Sequence, residues 1–331
     1  MYQLKQVPQD FIVKEQTNIR AEKTGEFIYF WLTKRNYTTH RACEQLAKQF
    51  RIPLKWIGFA GNKDKDAVTT QLISLKHVAR EKAEKLSLTD LDLRFYGKGS
   101  KPISLGDLQG NTFQITIRNI EKKPLARKHF PNYFDMQRFS EQNPAIGKLL
   151  LQKKFSDAVA LINDEHILEM KQQHPNDPIA VLRALPRKIW MLYINSYQSL
   201  LWNRMVALYL QKFKHKTVTF PVGDLVFPTE QVKNAKIPLL GFGTEWQNAK
   251  IGKIGEELLK QEGITLRDFI VREFPELSSE GGERDLMVTP TGVKMGKLEE
   301  DELNAGKKKV TMTFTLPKGS YATMYMRSIF A

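Results

Sequence analysis

Apolar and polar residues alternate over short runs in the first third of the chain. Residues 10–15 (DFIVKE), 27–32 (FIYFWL), 91–96 (LDLRFY) and 113–117 (FQITI) are rich in β-branched and aromatic side chains, a texture that predicts strands. Between the second and third of these runs, Thr39 stands where it can cap a helix through Ala42, Leu46, Ala47 and Phe50, and a second helix is expected near 78–86. Strands joined mostly by short turns favour antiparallel or mixed pairing over a doubly wound parallel sheet, so the predicted class is α/β in the α+β sense. Beyond about residue 139 the apolar spacing lengthens to three and four. Residues 149–161, 189–213 and 255–261 read as helices, and 218–227 as strand and turn. Alternation returns at 309–316, and Ser320 opens a final helix through Ala322, Met326 and Ile329. The end therefore resembles the beginning, and the middle is expected to be an insertion whose last strand rejoins the first sheet. No internal repeat or low-complexity segment is visible.

A chain of 331 residues with 41% apolar composition buries a core without needing disulfides or metal. Its single cysteine, Cys43, cannot form an internal bridge, and no stretch reaches the roughly 18 apolar residues of a membrane span. With no hydrophobic signal region at the start, a cytoplasmic protein is expected. Charge narrows the partners: 51 Lys and Arg against 36 Asp and Glu leave +15. An excess of that size favours a polyanion, because each neutralised phosphate releases counterions. The basic residues recur beside aromatic or turn residues, as in Lys34-Arg35-Asn36-Tyr37 and the run 122–130, so basic patches on a folded protein are expected.

One stretch concentrates charge at an unusual place. In FAGNKDKDAVTTQ, residues 59–71, two acids and two lysines sit between strand-forming flanks, and the Gly61-Asn62 pair supplies a backbone able to take positive φ. A solvated turn accounts for most such sequences. A guanine-reading Asn-Lys-x-Asp needs an acid where this chain has Lys65, no Gly-Lys pair is followed by Ser or Thr, and the six histidines are never at helix-face spacing. Nucleotide hydrolysis through a P-loop and zinc chemistry drop out. What remains is a carboxylate beside Lys63 and Lys65, cations that favour the charged form of an acid able to attack carbon or take a proton. Carboxylate attack at an anomeric carbon needs no metal. By this reasoning Asp64 and Asp66 are equivalent.

Several segments, in order along almost the whole chain, resemble the TruD family of tRNA pseudouridine synthases. Residues 61–71 resemble its G-x-K-D-x-x-A-x-T-x-Q signature, in which the aspartate after the lysine is catalytic; Asp64 matches it and Asp66 falls at a variable place. Pro8-Gln9-Asp10-Phe11-Ile12-Val13 is similar to P-x-D-F-x-V, residues 34–39 to K-x-N-x-x-T, and Gly110-Asn111-Thr112-Phe113 to G-N-x-F. Residues 131–139 (PNYFDMQRF) resemble P-N-Y-F-G-x-Q-R-F, 195–203 the helix R-S/Q-S-x-x-F/W-N, and 316–323 (LPKGSYAT) L-P-x-G-S-F/Y-A-T. Gln9 stands where many members carry an acid, and Asp135 replaces a glycine.

The resemblance implies a pseudouridine-synthase-type sheet, mixed and largely antiparallel, built from residues 1–141 and 298–331, with a family-specific inserted domain at 142–297 and an RNA channel between the two. It implies a tRNA substrate, with a uridine in the D stem isomerised to pseudouridine without cofactor or metal, by a protein taken as a monomer and not associated with membrane. Asp64 would be the nucleophile or base at the ribose. Phe113, with Asn111, would hold the extruded base, Tyr321 would lie against the reacting ring, and Lys5 and Phe11 would occupy N-terminal active-site positions, Lys5 near Asp64 or a phosphate. Arg284 resembles a basic position of the inserted domain. A catalytically idle RNA-binding protein or RNA chaperone is the competing reading, but a pure binder has no need of a carboxylate aimed at a phosphodiester chain. A glycosidase would need a second carboxylate that the sequence does not identify.

Overall fold

The structure, a computed structural model, describes residues 2–140 and 142–331. In chain order it opens with β1 (Phe11–Gln16), β2 (Phe27–Arg35), α1 (Thr39–Phe50), β3 (Ile57–Phe59), β4 (Val68–Lys76), α2 (Arg80–Glu84), β5 (Leu91–Gly99) and β6 (Gly110–Ile120). A middle region follows with β7 (Phe130–Pro131), α3 (Asn143–Leu151), α4 (Phe155–Leu161), α5 (Glu165–Gln173), α6 (Pro178–Arg183) and α7 (Arg187–Leu210). It continues through β8 (His215–Val218), β9 (Leu225–Pro228), β10 (Lys236–Leu239), α8 (Ala249–Glu262), β11 (Gly282–Asp285) and β12 (Met287–Val288). Then come β13 (Thr291–Glu300), β14 (Lys308–Pro317) and α9 (Ala322–Phe330). Glu141, where the sequence closed its first segment, lies outside the described residues. Two compact units divide the chain, Met1–Lys128 with Thr289–Ala322, and His129–Val288 with Thr323–Ala331.

The first unit is built on an eight-stranded sheet in the order β13-β14-β6-β1-β4-β2-β5, with β3 paired to β4 beyond the end of β1. The β1–β4 pair is parallel and the other pairs are antiparallel, so the sheet is mixed and largely antiparallel as expected. The last strand does return to it, bringing β13 with it: β14 lies along β6, with Phe314 opposite Phe113. Helix α1 turns Ala42, Cys43, Leu46, Ala47 and Phe50 toward Phe30, Leu32, Ile73 and Leu75, forming one core. Burial pushes the Cys43 thiol up to about 12, which keeps it inert. The capping residue is Thr38, whose hydroxyl accepts from Arg41 N–H at 3.2 Å. Thr39 is instead the first helical residue, and its hydroxyl is used elsewhere.

Two sequence expectations differ in detail. The helical run 149–161 is two helices, interrupted where Lys153 takes φ 57°. Strand β13 escaped the pattern because it is an edge strand with nearly every residue exposed and two register shifts, so no alternation marks it.

In the second unit the motif at 131–139 and the helix motif at 195–203 serve each other. Asn203 on α7 accepts from Phe134 N–H and donates to Phe134 C=O, both at 2.9 Å, and Arg138 donates to Ser199 Oγ at 3.0 Å. The buried Tyr133 hydroxyl donates to Val226 C=O and accepts from Val226 N–H. Asp135, the departure from glycine, has φ −98° and needs no left-handed backbone; its carboxylate accepts from Met136 N–H and from the Thr323 hydroxyl.

The N-terminal segment of the first unit is fixed by one guanidinium. Arg118 on β6 exchanges backbone hydrogen bonds with Gln3, while its side chain donates to both oxygens of Asp10 (2.9 and 3.0 Å), to Asp301 (2.7 Å) and to Glu302 (3.0 Å). Arg118, Asp10 and Asp301 are buried, so removing the cation strands two carboxylates away from water. Arg118→Met is expected to destabilise the protein by about 3–5 kcal/mol, measured by urea unfolding. Burial pushes the Asp301 carboxyl up, but hydrogen bonds from Asn119, Asn304, Leu303 and Arg118 outweigh it and hold it at about 2. Its stabilisation is therefore complete above the ordinary 3.8 and lost as pH falls toward about 2; Asp301→Asn should flatten that acid window.

Candidate active site

The charged stretch forms an eight-residue connection, 60–67, between β3 and β4. It is not a tight turn. Neither Gly61 nor Asn62 is among the positive-φ residues, and a Cβ at Gly61 would meet only Leu108 at an ordinary 3.7 Å. Side chains from the sheet hold the loop instead. Gln71 on β4 donates to Gly61 C=O at 3.0 Å and accepts from the Thr39 hydroxyl at 2.9 Å, and that hydroxyl accepts from Lys63 N–H at 2.9 Å. Lys34 on β2, fully buried, donates to the carbonyls of Asp64 at 2.7 Å, Tyr37 at 2.5 Å and Lys63 at 3.4 Å. Lys63 does not flank the acid as a surface cation. Its ammonium turns inward to the buried Glu15 at 2.5 Å, and the other oxygen of Glu15 accepts from Leu72 N–H.

With its backbone pinned on three sides, Asp64 presents a half-buried carboxylate, whereas Asp66 two residues on is exposed. The structure thus separates two acids that residue chemistry alone left equivalent. The cation beside Asp64 is Lys5, whose ammonium lies 2.9 Å from Oδ2 and 4.2 Å from the centre of the Phe11 ring. Lys5 takes φ 59°, an uncommon conformation for a side-chain-bearing residue, between the two anchors that Arg118 supplies at Gln3 and Asp10.

Phe11 meets Phe113 edge to face with ring centres 6.0 Å apart, and Phe113 stacks on Phe314 at 5.4 Å. The three lie on β1, β6 and β14, one aromatic row across the sheet. Phe113 keeps only 7% of its surface open, too little to offer a bare ring face. Asn111, two residues earlier on the same side of β6, has a buried Oδ1 with no hydrogen-bond partner among the described residues, as does Thr69 Oγ1 on β4. An unmet acceptor of that kind costs about 1–3 kcal/mol and invites an external donor. Tyr321, half-buried, follows the end of β14, whose Leu316 pairs with Asn111. Lys5, Phe11, Asp64 and Phe113 are thus linked by direct contacts. Arg284 belongs to the second unit, where its guanidinium donates twice to Asn132 at 2.8 Å and covers the Phe134 ring at 4.0 Å.

Sequence reasoning named the acid but not its supports. Glu15 was read only as part of a strand, Lys34 as part of a basic patch, Thr39 as a helix cap and Gln71 as a motif letter. The available signal was parity: Glu15, Lys34 and Gln71 are polar residues at positions where alternation calls for core side chains.

The model of the family described as tRNA pseudouridine synthase D (TruD) matches residues 2–172, 161–237 and 229–329. A relative from Aquifex aeolicus, tRNA pseudouridine synthase D, is 30% identical, with 99% of this chain and 97% of the relative covered. A relative from Methanosarcina mazei, named "Probable tRNA pseudouridine synthase D", is 30% identical over 98% of this chain and 92% of its own length. A crystal structure of a TruD candidate from Methanosarcina mazei superposes with a TM-score of 0.75 at 29% identity, covering 99% of this chain and 93% of that one.

Burial pushes the Lys34 ammonium down to about 8, against the pull of the Asp64 carboxylate. Above that pH the neutral amine keeps two N–H groups for three carbonyls, and the loop slackens. Any rate that depends on Asp64 is expected to fall along an alkaline limb centred near pH 8. The unfolded chain holds this proton up to the ordinary 10.5, so between about 8 and 10.5 the unfolded state binds more protons and this group makes stability rise with pH. Rate and stability should run in opposite directions through that window, seen by pairing a pH–rate profile with urea titrations. Lys34→Met should remove both trends and cost about 100-fold in rate at neutral pH through misplacement of the loop.

Proposed function

The chain belongs to the tRNA pseudouridine synthase D (TruD) family and is an RNA pseudouridine synthase, and we propose that it isomerises a uridine in the D stem of tRNA with Asp64 as the reacting carboxylate. The observation that carries the assignment to this residue is the Asp64 carboxylate itself. It is held by the buried Lys34 and by the loop's other supports, faces Lys5, and is linked through Lys5 and Phe11 to the aromatic row.

The reaction breaks the C1′–N1 bond, turns the uracil and rejoins it through C5; the proton lost from C5 is balanced by the one N1 gains. Taking the base out of its stack costs a few kcal/mol, which contact with aromatic rings at roughly 1–3 kcal/mol each offsets. Phe113 and Tyr321 are the aromatic side chains for that contact, and the unmet Asn111 Oδ1 suits a ring N–H of the uracil. Asp64 acts either by adding to C1′ or by taking the C2′ proton, and both roles need the charged carboxylate. Lys5 shields the carboxylate in the free protein and is placed to move to a backbone phosphate of the substrate, which would release Asp64 for the ribose.

Asp64→Asn is expected to abolish pseudouridine formation on bulk unmodified tRNA, mapped by chemical adduct sequencing, while tRNA affinity stays within a few fold. Isomerisation at the parental rate by that variant would remove Asp64 from the mechanism. Binding should also weaken steeply between about 50 and 200 mM salt, as expected where cations meet phosphates; a flat response would contradict a phosphate-dominated interface.

A further inference from the structure

The strand side chains that steady the Asp64 loop, Glu15, Lys34 and Gln71, leave the sheet on one face. Their neighbours in sequence, at Lys14, Thr33 and Thr70, leave it on the other. There Lys14 stands opposite Thr70 and Thr70 opposite Thr33 in register, while β5 adds Asp92 opposite Thr33 and Arg94 opposite Trp31. Together with Tyr96 these residues enclose an open cavity of about 500 Å³. Lys14 and Arg94 are exposed, and neither side chain makes an ion pair or hydrogen bond within the described residues. Trp31 is half-buried, its ring set edge to face against Tyr96 at 5.8 Å. The Thr33 and Thr70 hydroxyls bond each other at 3.0 Å and form the floor.

The polar lining does not stop at the cavity. Thr112 lies opposite Lys14 on β6, its hydroxyl shared with Gln16 at 2.9 Å and with Thr315 of β14 at 2.7 Å. A row of hydroxyls thus crosses the sheet away from the catalytic loop.

We infer that this second face binds single-stranded RNA, with the cavity holding one nucleotide of a segment outside the reacting uridine. The volume lies in the range of small-ligand sites. Two unpaired cations against one acid suit a phosphate, an aromatic side chain suits a base, and Asp92 is an acceptor for a ribose hydroxyl or an exocyclic amine. A protein partner fits poorly, because the face offers hydroxyls and charges where protein interfaces place an apolar centre. The inference rests on the reading that the substrate is RNA, but it involves none of the residues assigned to the reaction.

The test is the affinity of an unmodified tRNA transcript for the full chain and for Lys14→Ala/Arg94→Ala, titrated at several salt concentrations. Both substituted side chains are exposed, and matching urea unfolding curves establish that the variant folds. The double variant is expected to bind about five- to tenfold more weakly, with a slope of log affinity against log salt shallower by about 0.7 to 0.9, as one lost phosphate contact requires. Its kcat at saturating tRNA should be unchanged. Equal affinity and equal slope would overturn the inference. If the wild type makes no pseudouridine, the proposed reaction fails; if it does and the double variant binds like wild type, only this second site fails.

Discussion

A carboxylate at the tip of an eight-residue loop is held still by two lysines buried beneath it, and the rest of the site depends on that arrangement. Lys34 gathers the carbonyls of Tyr37, Lys63 and Asp64 around one ammonium, and Lys63 closes the loop from the other side onto Glu15. Burying such charges is costly, and the cost is offset only where the geometry is complete: Glu15 accepts from both Lys63 and Leu72, and Lys34 has a carbonyl for each of its three protons. An incomplete set would leave a buried charge unpaired. The same requirement explains why positions 34, 39, 63 and 71, far apart in sequence, belong to two motifs that act as one object.

The second unit follows a different logic with the same economy of contacts. Residues 132–135 run past α7 outside any helix or strand, and such a segment has no ladder to satisfy its amide groups. Asn203 serves both amide groups of Phe134, Arg284 donates to Asn132 C=O and Leu286 C=O accepts from Asn132 N–H, so a stretch without regular structure is still ordered. Arg284, from outside the motif, covers the Phe134 ring with a group that also donates to Asn132.

Much of the fold was legible because strands of the first unit are buried on one face only, and their alternation shows in residues such as Phe11, Val13 and Glu15 against Ile12 and Lys14. Asp64 was legible through the family signature, and its separation from Asp66 could not come from chemistry alone because both acids have lysine neighbours. What remained hidden was long-range. Nothing local says that Lys63 points inward or that Asp10 belongs to Arg118, and Lys5 was expected near Asp64 or a phosphate only through the family resemblance, since each pairing is made by the topology that lays β1 between β4 and β6. Edge strand β13 was hidden for the opposite reason: exposed on both sides, it leaves no pattern to read.

Three ion pairs of the first unit differ in how easily they can be exchanged, and that difference matches what the proposed reaction asks of each. Lys63–Glu15 and Arg118–Asp10 are shut away from water, and breaking either leaves a buried charge, so they are fixed parts of the frame. Lys5–Asp64 keeps 21% and 23% of its side chains exposed, so of the three it is the pair that water and a ligand can reach. A substrate phosphate can compete there for Lys5, while the backbone beneath Asp64 stays where Lys34 holds it. The site therefore combines a rigid carboxylate with an accessible counterion, the combination needed if the acid is to stay shielded in the free protein and become available only when RNA arrives.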